Sequence, residues 1–100
     1  MTSAARARAL PEVPAIAETL PGYEVISFLG VGTTAGTPAP IIDRLNQAIR
    51  HMIDGQELHQ RLVDLGGEPG ASTPLQMREF VAQEIAKWRR VIQARKIEPE

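Results

Sequence analysis

The sequence predicts an α/β chain with one main strand, a candidate second short strand and three main helices. Two observations carry this. A nearly continuous apolar run, Tyr23 to Val31, is rich in strand-favouring residues. Three later stretches repeat apolar residues at three- and four-residue steps, the period of a helix with one buried face. At 100 residues the chain makes at most one compact domain with one modest core.

From the N-terminus, residues 1–9 read as a flexible arm and residues 10–100 as the structured segment. Pro11 and Pro14 interrupt any helix there, because each proline restricts the residue before it. Pro14 to Thr19 can form a short helical turn, with Pro14 in the tolerated first position, and Pro21-Gly22 makes a turn. In the run that follows, Tyr23, Val25, Ile26, Phe28, Leu29 and Val31 scarcely alternate with polar residues. Such a pattern predicts a strand covered on both faces. Gly30 and Gly32 would let another element approach its backbone.

Thr37 is the expected N-cap of the first helix, with Pro38 behind it. Ile41, Ile42, Leu45, Ile49, Met52 and Ile53 then form an apolar stripe ending near Ile53. Asp54 with Glu57 reads as a capping box opening the second helix. That helix carries Leu58, Leu62 and Leu65 and stops at Gly66. Gly67 to Ala71 is the candidate second strand. Thr73-Pro74-Leu75-Gln76 opens the last helix, which reaches about Arg95. Met77, Phe80, Val81, Ile85, Trp88, Val91 and Ile92 hold its period, which predicts that Trp88 belongs to the core. Glu79, Glu84, Lys87, Arg89, Arg90 and Lys96 lie mostly off that stripe, and the acidic residues read as solvated faces.

The composition excludes several functions. Lys and Arg number 11 against 12 Asp and Glu, so there is no basic face for nucleic acid. Aromatics are 4% of the chain, too few for base-stacking platforms. With no cysteine there is no disulfide, thiolate nucleophile or cysteine metal site. His51 and His59 are eight residues apart across a predicted break and lack zinc-ligand spacing; they read as surface residues. Ser27 has no nucleophile-elbow context. Gly30-Val31-Gly32 lacks the third glycine and the Lys-Ser/Thr of a phosphate loop. The chain therefore reads as a non-enzyme without metal or cofactor. The N-terminal residues lack the uninterrupted apolar stretch of a secretion signal, which by itself predicts a cytoplasmic chain.

The ordered segments resemble one family. They are Leu10-Pro11-Glu12-Val13-Pro14-Ala15-Ile16-Ala17-Glu18, Pro21-Gly22-Tyr23-Glu24-Val25, Ala35-Gly36-Thr37-Pro38-Ala39-Pro40-Ile41-Ile42-Asp43-Arg44-Leu45-Asn46, Arg61-Leu62-Val63-Asp64-Leu65-Gly66-Gly67-Glu68-Pro69, Thr73-Pro74, and Glu84-Ile85-Ala86-Lys87-Trp88-Arg89-Arg90-Val91-Ile92. Together they resemble the C-terminal part of the Bug-type solute receptors of tripartite tricarboxylate transporters, over about residues 9–100. That resemblance implies part of a periplasmic-binding-protein-like (type II) fold. Its receptors clasp small carboxylates or related metabolites between two α/β domains and pass them to membrane subunits. It also implies a periplasmic location and a chain much shorter than a whole receptor.

On that basis Ser27, Phe28 and Gly30, where the strand would pass the cleft, are the expected ligand-binding residues. The family often has Ser-Trp-Tyr-Gly at this point, where Ser27-Phe28-Leu29-Gly30 stands here. It also favours Asp-Pro-Glu between the first two long helices, where this chain has Asp54-Gly55-Gln56. The alternative expectation is a small interaction or structural module derived from such a receptor. It would form a homo-oligomer through the unpaired strand and bind no ligand tightly.

Overall fold

The computed structural model describes residues 1–99. A 3-10 turn, Ile16–Glu18, precedes three helices: α1 (Ala39–Asp54), α2 (Gln56–Asp64) and α3 (Pro74–Arg95). Among the described residues there is no β-strand. This corrects both strand expectations. Tyr23–Val31 and Gly67–Ala71 lack ladder partners, and a strand exists only when a neighbour takes up its backbone N–H and C=O groups. Apolar, β-favouring composition supplies half of that requirement. The fold-class expectation survives in its helices, not in its sheet.

Helix α3 starts as its local sequence dictates. The Thr73 hydroxyl accepts from the Gln76 N–H at 3.1 Å, and the Gln76 side chain accepts from the Thr73 N–H at 2.9 Å. This reciprocal box ties down two otherwise unpartnered donors. The helix ends at Lys96, in the left-handed region at φ 52°, with its N–H returned to the carbonyls of Ile92 and Gln93.

The other two starts differ from expectation. Pro38, not Thr37, is the N-cap of α1, and the Thr37 hydroxyl donates to the Thr34 carbonyl at 2.8 Å, closing the preceding turn. Gly55, not Asp54, caps α2, and no side chain caps it. Asp54 is still the last residue of α1, so its side chain is not available to cap α2. Gly66, at φ 79°, does stop the second helix. The early turn begins two residues past Pro14, and the Ala15 N–H donates to the Glu18 carboxylate at 3.0 Å.

Helix α1 packs against both α2 and α3. Its half-buried positions, Ile42, Asn46, Ile49 and Ile53, recur at four, three and four residues. Ile41, Leu45 and Met52, from the same predicted stripe, stay exposed. Asn46 does structural work within this face: its amide donates to the Ser72 carbonyl at 2.8 Å and ties α1 to the start of α3. Trp88 is 39% exposed, which corrects its placement in the core. Helical phase marked the face that Trp88 shares without supplying a neighbour to bury it.

Among the described residues Ala15 alone is buried. The radius of gyration is 16.5 Å, against about 13 Å for a compact 100-residue domain. The accessible surface is 8673 Å², where a compact protein of 10.9 kDa shows about 5,600 Å². The helices thus present apolar faces that the chain does not itself cover.

The first residues lie against the rest of the chain. Met1 accepts from the Ile16 N–H at 2.9 Å and Thr2 accepts from the Val25 N–H at 2.8 Å. The Arg6 guanidinium donates to both carboxylate oxygens of Glu18, at 2.6 and 2.7 Å. Arg6's hydrogen bond, then the Ala15 N–H, hold the Glu18 carboxyl down to about 2.

Candidate functional site

Residues 23–34 form no regular element, yet three contacts lay their first part along α3. The Lys87 ammonium donates to the Glu24 carbonyl at 3.3 Å. Phe28 meets Phe80. Gly30 lies beside the tip of Met77, whose Cε would be 3.7 Å from a Cβ added at that glycine. The numbering rises along the segment as it falls along the helix, so the two run antiparallel.

Two of the three expected ligand-binding residues, Phe28 and Gly30, are brought against the same stretch of α3. Ser27, which precedes them, is exposed. All three line the outer surface of the molecule. Of the two glycines expected to admit a close neighbour, Gly30 has only ordinary van der Waals contact and Gly32 has nothing within 4 Å. No close backbone approach therefore requires glycine at either position.

One cluster was not foreseen. Glu84, expected on a solvated face, and Lys87 have side chains only 13% and 27% exposed. Lys87 Nζ lies 2.5 Å from Glu84 Oε1. The Trp88 indole N–H donates to Glu84 Oε2 at 3.0 Å. The ammonium also lies 5.6 Å from the centroid of the Trp88 ring, within cation–π range. Lys87's hydrogen bond, with a smaller one from Trp88, draws the Glu84 carboxyl below its ordinary range against the opposing effect of partial burial. The signal was present as Glu84, Lys87 and Trp88 at steps of three and four, the spacing of neighbours on a helix surface.

Two hollows mark the surface. One, of about 190 Å³, lies between Ala7–Ala9 and the end of α2, where His59, Gly66 and Glu68 line it. The other is a shallow stretch of α3 around Ile85, Trp88 and Ile92. His51 and His59 are both exposed. Among the described residues no group of three or more His, Cys, Asp or Glu converges as a metal site would require. No described helix is long and apolar enough to cross a membrane.

Comparison with known proteins decides the family. The model of the tripartite tricarboxylate transporter family receptor matches residues 1–97. The chain belongs to this receptor family. A UPF0065 protein in the tcbD-tcbE intergenic region of a Pseudomonas species is 35% identical over 94 residues, covering 92% of this chain and 28% of that protein. Protein BugT of Bordetella pertussis is 31% identical over 91 residues, 90% of this chain and 28% of BugT. A UPF0065 protein of Bordetella bronchiseptica is 28% identical over 99 residues, 99% of this chain and 30% of the relative. The chain thus spans less than a third of the length of these three relatives. No solved structure gives a significant match. The family match begins at Met1 and so extends over residues 1–8 as well.

Proposed function

We propose that this chain is the C-terminal portion of an extracytoplasmic solute receptor, which binds small carboxylates and delivers them to membrane subunits of a tripartite transporter. The family match over residues 1–97 carries the reading. In it, residues 1–9 are a leading arm and residues 10–100 the receptor segment. Ser27, Phe28 and Gly30 form part of one wall of the solute cleft, and the rest of the receptor supplies the facing wall. Binding by enclosure needs no bond chemistry.

The test is a hybrid receptor in which this chain replaces the matched segment of the Pseudomonas relative, titrated calorimetrically with citrate, succinate, glutamate and nicotinate. Binding of one of these, weakened by Phe28→Ala, is the expected result. A folded hybrid that binds none of them would contradict the proposal.

A second reading, a self-associating module, is favoured by the exposure of Leu29 (89%) and Val31 (72%) beside unpaired backbone. Pairing this segment with its copy would satisfy both through a two-fold dimer. Sedimentation of the purified chain tests it: a dimer supports the module, and a monomer across the micromolar range contradicts it.

A further inference from the structure

We infer that Lys87 is a positioning residue: together with Glu84 and Trp88 it clamps the Glu24–Gly30 segment onto α3 and sets the register in which Ser27, Phe28 and Gly30 are presented. The clamp stands on geometry alone; its use in presenting a solute-binding wall rests on the receptor reading above.

The segment has no ladder to define its position. A chain without regular hydrogen bonds can slide along an apolar helix face at little cost, because apolar contacts are non-directional. A directional contact at one end removes that freedom. Lys87 provides it across 63 positions of sequence by donating to the Glu24 carbonyl. An ammonium on a flexible four-carbon stem would ordinarily sample many rotamers. Here Glu84 fixes it from one side at 2.5 Å, and Glu84 is fixed in turn by the Trp88 indole N–H at 3.0 Å. The chain Trp88–Glu84–Lys87–Glu24 therefore runs from the rigid helix to the irregular segment through groups whose directions are each determined. Phe28 on Phe80 and Gly30 beside Met77 then follow two and three helical turns away.

The ring contact supplies a reporter that helix stability alone does not move. Phe28 and Phe80 are the two phenylalanines of the chain, so their ring-to-ring NMR cross-peak is unambiguous. Lys87→Met keeps helix propensity and stem length but removes the donor; Lys87→Arg keeps charge and donors. The wild type and Lys87→Arg are expected to show the cross-peak. Lys87→Met and Glu84→Gln are expected to lose it while the helical chemical shifts of α3 persist. A cross-peak retained at wild-type strength in Lys87→Met overturns the clamp. So does its loss together with the α3 shifts in both variants, which would make the pair a helix-stabilising contact. If the cross-peak is lost but carboxylate binding by the hybrid receptor is unchanged, the clamp stands and the placement of the solute beside Ser27–Gly30 fails.

Discussion

Phe28 and Phe80 meet edge to face, with ring centroids 5.0 Å apart and planes at 89°. The positive edge of one ring lies against the negative face of the other. The contact joins an irregular segment to the longest helix of the chain, with no backbone ladder between them to share the work.

This contact is expected to be measurable by itself. A double-mutant cycle with Phe28→Leu and Phe80→Leu, followed by urea denaturation, should give a coupling energy of about 0.5–1.5 kcal/mol. Additive effects of the two changes would mean that the segment does not rest on α3 at this point.

The docking of the N-terminal residues should depend on acid. Glu18 has its carboxyl at about 2, below the ordinary 4.5, because Arg6 and the Ala15 N–H favour its charged form. A depressed folded-state pKa contributes stability that is fully present above the unfolded value and lost as pH falls through the folded one. The stabilisation from this contact should therefore be full above about pH 5 and decline as pH falls towards about pH 2, with the contact itself half released only near pH 2. The Arg6 side-chain NMR signals report it, and Glu18→Gln should remove the transition. Release well above pH 5 in the wild type would contradict the pairing.

Two threonines of similar local sequence should behave differently. Thr73 caps α3 through its hydroxyl, whereas Thr37 precedes the cap of α1 and bonds within a turn. Thr73→Ala should cost about 1 kcal/mol of stability and Thr37→Ala distinctly less. Equal losses in thermal melts would mean that Thr37 caps after all.

What the sequence makes legible here follows from how far each feature reaches along the chain. The Thr73–Gln76 box and the Gly66 stop involve residues within one turn, so local residue types decide them. The strand at Tyr23–Val31 is not local: whether an apolar extended run becomes a strand depends on a neighbour, and the described residues supply none. Trp88 shares its helical phase with Val81 and Ile85, but periodicity marks a face without saying what covers it. Lys87 and Glu84 are nonetheless part-buried, and Lys87 bonds to the Glu24 carbonyl some sixty positions earlier, a contact that no helical period can show. Of the expected ligand-binding residues, Phe28 and Gly30 come to rest on α3, a long-range placement that no local spacing announces.

In the proposed receptor role this chain supplies one wall of a solute site and does not close the site by itself. Ser27, Phe28 and Gly30 are exposed, Phe28 by 47%, and an uncovered carboxylate gains little net free energy from a few hydrogen bonds made in water. Calorimetry of the isolated chain against citrate, succinate, glutamate and nicotinate tests this most directly. The account predicts no dissociation constant below about 10 μM, equivalent to roughly 7 kcal/mol of binding. Tighter binding of any of the four by the chain alone would contradict it.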